Sequence, residues 1–174
     1  MRKRNIFIGI LIAIVVVLFV IVLARCITPK DYLFIDGKNI YFGMTKNLLI
    51  KTNGNPMESN KNISDTPTDE YLYLKEILGQ SVEIRYYLRN ARLVEAYVIA
   101  EDVSYDSAIS IAQKIISEQK SYYSSRQGYY YSELETDGTT KFTASNGISN
   151  GAIGISFDFE YTSGKLTISA ISQK

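Results

Sequence analysis

Histidine is absent from this sequence of 174 residues, and cysteine occurs once, at Cys26. Without histidine, Ser-His-Asp triads, Cys-His pairs and zinc sites built on imidazole are excluded within the chain. With a single cysteine, so is an intramolecular disulfide. Blocks of one charge are also missing, and interspersed signs argue against a nucleic-acid footprint. No loop carries the spaced oxygen ligands of an EF-hand, so neither a metal nor a cofactor is expected.

What the sequence does have is an unbroken apolar run from Ile6 to Ala24, preceded by Arg2, Lys3 and Arg4. As a helix this run would span roughly 28 Å, close to the ~30 Å hydrocarbon core of a bilayer. The expected reading is a retained single-pass transmembrane anchor over residues 6–24. Residues 1–5 would then be a cytoplasmic tail, because positive charge stays inside. Two alternatives remain open. One is a cleaved signal peptide, although secretory apolar regions usually run only ~7–15 residues. The other is a lipoprotein signal with Cys26 as its lipidation site; there Leu23-Ala24-Arg25-Cys26 has Arg25 where a small uncharged residue is normal. Residues 27–174 then form an extracytoplasmic domain at the cell envelope. Four of the 19 Lys and Arg precede residue 27, leaving 15 against 18 acidic residues, a net of −3.

Within that domain, Asp36-Gly37 between two apolar runs signals a tight hairpin. A short helix is expected from Thr45 to Thr52, capped by Thr45, with Leu48 and Leu49 on its buried side and Asn53-Gly54 ending it. Residues 57–69 read as a loop. Tyr71–Ile77, Ser81–Leu88 and Leu93–Ala100 read as strands, Ser81–Leu88 with strict apolar alternation. From Ser104 the period becomes helical, through Ala108, Ile109, Ala112, Ile115 and Ile116, with Asp102 or Ser104 as cap. Strands are expected again at Tyr129–Glu135, Thr139–Ala144, Ala152–Tyr161 and Leu166–Ile171, with a Gly/Asn/Ser loop at 145–151. The order of helix and three strands, then helix and four strands, predicts an α+β fold. Helices would pack on antiparallel sheet in what could be two helix-plus-sheet units.

Gly43-Met44-Thr45, followed by Leu48-Leu49 and then Gly54-Asn55-Pro56, resembles the opening motif of the SmpA/OmlA (BamE-like) lipoprotein domain. Ile84 to Val94 resembles that family's strand, turn, strand passage, so the likeness covers about residues 39–100. Residues 101–174 lie beyond it. The repeated helix-plus-sheet order is also similar, more weakly, to the beta-lactamase inhibitor protein fold. Both likenesses imply a small antiparallel sheet that works by binding other proteins.

Three constellations invite a chemical reading. Ser117 and Lys120 fit Ser-x-x-Lys, but the Ser-Asp-Asn and Lys-Thr-Gly partners of penicillin-binding enzymes do not follow; the expected place for both is the wet side of a helix. Carboxylates recur as Asp65/Asp69, Glu101/Asp102/Asp106 and Glu133/Glu135, and nothing in their spacing shows that two face each other, as a glycosidase requires. Tyrosine, by contrast, is concentrated at Tyr122, Tyr123, Tyr129, Tyr130 and Tyr131 around Arg126. Aromatic faces with polar tips suit protein or glycan recognition. The expectation is therefore a non-catalytic, membrane-anchored module that binds another envelope protein as an assembly or accessory factor, and no nucleic acid. The alternative is a cell-wall or glycan-directed domain.

Overall fold

The computed structural model describes residues 13–19, 30–35, 39–61, 68–149 and 154–172. The chain forms two compact units, Met1–Asp31 and Tyr32–Lys174.

In the first unit the described residues include a helix, α1, at 13–19. Among the described residues no helix is long and apolar enough to cross a membrane. That finding contradicts the transmembrane anchor expected over residues 6–24 and the single-pass topology built on it. The rest of the apolar run, 6–12 and 20–24, lies outside the described residues, as do residues 1–5 and Cys26.

The second unit departs from the expected two helix-plus-sheet units: it is built on one antiparallel sheet. After helix α2 (Lys46–Asn53) come β1 (Glu58–Asn60), β2 (Thr68–Ile77), β3 (Gln80–Arg89) and β4 (Arg92–Ala100). Helix α3 (Tyr105–Tyr123) follows, then β5 (Tyr129–Tyr131), β6 (Glu135–Thr136), β7 (Lys141–Ser149), β8 (Gly154–Thr162) and β9 (Lys165–Ser172). The strand order is β1-β2-β3-β4-β9-β8-β7-β5, with β6 also on β7. One meander therefore runs inward to β4, α3 carries the chain to the far edge, and a second meander returns to meet it.

The join between β4 and β9 makes a single core. Paired residues share a face of a sheet, and the pairing Tyr73, Ile84, Val98, Ile168, Phe159, Ala144 crosses six strands in succession. All six side chains are buried. Two covers lie over this face. One is α3, which buries Ala108, Ile111, Ala112, Ile115, Gln119 and Tyr123 and packs on β7 and β8. The other is the segment before and through α2, which contributes Leu33, Ile35, Ile40, Phe42, Met44 and Leu49 to the core.

Local chemistry accounts for the element ends. Three hairpins have two-residue turns with both residues left-handed: Leu78-Gly79, Asn90-Ala91 and Ser163-Gly164, the geometry that matches strand twist. Ser104 caps α3 by accepting the Ser107 N–H at 3.2 Å. Thr45 precedes α2, yet its side chain makes no cap bond. Leu49 is buried there, while Leu48 is partly exposed and off the core face, contrary to expectation. Gly54, at φ +86, closes α2 with its N–H on the Ile50 carbonyl, as the Gly-x-Pro pattern predicts. Gly43, at φ +80, turns the chain so that its N–H reaches the Leu93 carbonyl, and Met44 in turn accepts from the Leu93 N–H.

Several boundaries shift. The expected loop at 57–69 contains β1 and the start of β2, and the expected strand at 129–135 is two short strands. The expected loop at 145–151 is strand as far as Ser149. The Asp36-Gly37 turn lies outside the described residues, although Leu33 donates to the Ile40 carbonyl across its base.

Candidate functional site

The tyrosines grouped in sequence are divided in space. Tyr123 is fully buried, and its hydroxyl donates to the Tyr32 carbonyl at 2.7 Å. Tyr122 is half-buried beside it, their ring centroids 4.9 Å apart. Arg126, one helical turn past Tyr122, donates from Nη2 to the Tyr122 hydroxyl at 2.9 Å. Its guanidinium lies 4.8 Å from the Tyr122 ring centroid and 5.0 Å from that of Tyr123, within cation–π range. A cation just past the end of α3 also suits the helix dipole.

Tyr129 and Tyr131 are elsewhere. They stand on the α3 side of β5, stacked at 5.9 Å, with the Lys120 ammonium 3.8 Å from the Tyr131 centroid. Strand alternation sends Tyr130 to the opposite face, where its hydroxyl lies over Gly147. Burial pushes the hydroxyls of Tyr129 and Tyr130 up from their ordinary value. Six residues adjacent in sequence thus serve three surroundings.

The part that remains a site is the Tyr122 end, joined by a residue that composition did not single out. Phe34 is half-buried between Leu33 and Ile35, which both point into the core. Its φ is +51, a left-handed conformation that is costly for a bulky residue. Its ring meets those of Tyr122 at 5.2 Å, Tyr32 at 5.9 Å and Tyr123 at 6.1 Å. Phe34, Tyr122, Ser117, Glu118 and Ser121 line an open groove of about 590 Å³. One wall is aromatic, and the other is a helix face with two small hydroxyls and a carboxylate. Phe34 gave no sequence signal beyond belonging to an apolar run; its placement depends on the φ reversal.

The remaining candidates are dispersed. Ser117 donates to the Lys114 carbonyl at 2.8 Å, and Lys120 is over Tyr131, so the Ser-x-x-Lys pair is not assembled. Glu101 meets Lys165 at 3.3 Å, Asp106 sits in the first turn of α3, and Glu133 and Glu135 are exposed. Asp65 lies outside the described residues. No group of three or more His, Cys, Asp or Glu that could hold a metal occurs among the described residues. Of the residues that carry the SmpA/OmlA likeness, Gly43, Met44 and Thr45 lead into α2, and Gly54 and Pro56 leave it; Met44 packs into the core, and none of the five lines the groove.

The outer face of the sheet carries a polar network instead. Glu70 accepts from the Tyr87 hydroxyl at 2.8 Å and from Asn60 at 3.0 Å, with Arg85 3.4 Å away. Desolvation pushes the Glu70 carboxyl up, but these donors together outweigh it and hold it below its ordinary value.

No family model matches the chain, and no curated protein and no solved structure matches it.

Proposed function

We propose that this chain is a non-catalytic protein-binding module, an assembly or accessory factor, whose groove between Phe34 and α3 receives an apolar side chain of its partner. The observation that carries this reading is the strained Phe34, held half-exposed against Tyr122 beside the small Ser117 and Ser121. An aromatic wall supplies apolar contact at little cost in side-chain entropy, and a rim of hydroxyls and one carboxylate supplies polar contacts. The likeness of Gly43 to Pro56 to the SmpA/OmlA domain points the same way. A sugar platform needs open ring faces, and Lys120 occupies one face of Tyr131, so protein is favoured over glycan.

The test fills the groove without touching the core. Ser121 is exposed on α3, so Ser121→Arg leaves the fold intact. Mild crosslinking followed by capture from the native extract is expected to retain a partner with the unaltered chain and to lose it with Ser121→Arg. Equal retention by both chains, or retention of no protein by either, would count against the proposal.

A further inference from the structure

The two edges of the sheet are finished differently. At the far edge, β7 is covered along its length. Tyr129 to Tyr131 oppose Ile148 to Asn146, Glu135 and Thr136 oppose Thr143 and Phe142, and Ser132 donates to the Ser145 carbonyl. At the near edge, β1 covers β2 only from Glu70 to Leu72.

Beyond Leu72 no described strand pairs with the outer edge of β2, and the backbone accounts for it. The Met57 N–H reaches the Leu72 carbonyl at 2.8 Å, so Leu72 turns its backbone outward. With a period of two, Leu74 and Glu76 do the same. The hairpin agrees: Ile77 pairs with Gln80 across a two-residue turn, so Ile77, Lys75 and Tyr73 direct their backbone groups to β3. β1 does not extend backwards to Leu74, because Pro56 has no N–H to give. Lys75 cannot guard the edge either, since its ammonium is drawn to the Asn53 carbonyl at 3.4 Å. Leu74 and Leu78 stand 55% and 56% exposed beside this edge. Such an edge is a template for an incoming strand.

We propose that the β2 edge from Leu74 to Glu76 accepts an extended segment of another protein as an added antiparallel strand, carrying Lys or Arg opposite Glu76 and a large aliphatic side chain opposite Leu74. Charge and register select this occupant. Glu76 is exposed on the outer face, with Glu83 next to Leu74 across the ladder. Glu83 already holds Arg85, whereas Glu76 forms no ion pair among the described residues. A second copy of the chain fits poorly. Because β1 covers Glu70 to Leu72, a twofold antiparallel pairing along the rest of this edge must centre on Lys75 or Glu76, setting like charges directly opposite. The proposal rests on the protein-binding reading and adds a mode of contact at a surface separate from the groove.

The test is a nuclear magnetic resonance titration of the full chain with two synthetic peptides. In one, threonines alternate with a lysine and, two residues on, a leucine; in the other, glutamate replaces the lysine. Shifts centred on the Leu74 and Glu76 amides, with at least tenfold preference for the lysine peptide, are expected. Glu76→Lys is expected to invert that preference. Leu74→Pro removes one outward N–H at an edge, where proline is tolerated; it should weaken binding at least tenfold while the Ile84 and Val98 amides stay protected from exchange. Equal binding of both peptides, shifts centred on Phe34 and Tyr122, or no binding at millimolar peptide would overturn the proposal. A dimer of the free chain abolished by Leu74→Pro would also overturn it. If no peptide binds while Ser121→Arg still abolishes partner capture, the edge proposal alone falls and the groove stands.

Discussion

Tyr123 donates its hydroxyl to the Tyr32 carbonyl at 2.7 Å across 91 residues of chain, fastening the end of α3 to the segment that covers the other half of the core. Gln119, one turn earlier, donates to the neighbouring Leu33 carbonyl at 3.3 Å. Tyr123→Phe keeps the ring against Phe157 and removes only the tether. It is expected to lower stability by about 1 kcal/mol, read as a shifted urea midpoint with an unchanged slope.

Gly147 is required by space. A Cβ there would meet the Ile155 carbonyl oxygen at 2.0 Å and the Tyr130 hydroxyl at 2.8 Å. The carbonyl belongs to the strand neighbour and cannot swing aside, so Gly147→Ala should cost about 3 kcal/mol. The β5 and β7 amides are expected to lose exchange protection first.

Ala91 invites the opposite change. Its φ is +59, beside Asn90 at +50, in a turn where a residue without Cβ is the favoured second member. Ala91→Gly removes strain of about 1–2 kcal/mol and gives back part of it through a freer unfolded chain. A net gain of roughly 0.5–1 kcal/mol is expected, visible as a higher thermal midpoint.

Glu70 makes stability depend on acid. Its carboxyl is held below the ordinary value of 4.5, so its contribution is complete above that pH and is lost as pH falls through the lower folded value. Glu70→Gln should therefore flatten the fall in urea midpoint as the pH drops below the ordinary carboxylate range, relative to the unaltered chain. Because Arg85 is 38% exposed on its side chain, solvent screening keeps the difference to on the order of 1 kcal/mol at most.

Sequence was most legible where one face of an element is packed and the other is wet. β3 and β8 alternate strictly, and α3 begins where Ser104 can cap it. Legibility failed where neighbours decide. Residues 145–149 contain Ser, Asn and Gly, the composition of a loop, yet they are strand because β5 and β8 supply partners on both sides. Tyr129 to Glu135 has the alternation of one strand, but Ser132 uses both its N–H and its hydroxyl on Ser145 and interrupts the ladder. The apolar run at 6–24 has the length of a membrane span, yet no helix among the described residues is long and apolar enough to cross a membrane. At the site, three consecutive tyrosines cannot share a face of a strand. That parity was available beforehand; the burial of Tyr123 and the recruitment of Phe34 were not, because both depend on contacts between segments far apart in sequence.

The pairing of β4 with β9 has a consequence in time. A ribosome delivers β9 after the eight other strands, yet β9 lies at the middle of the sheet, between β4 and β8. Until it arrives, β4 and β8 each present an unsatisfied border of amides and carbonyls. Closing that seam brings together residues as distant as Glu95 and Ile171, so acquisition of the native state should be slow for a chain of this size. In the interval the nascent molecule is most exposed to pairing with its own copies, and a chaperone that shields strand borders would act at that seam.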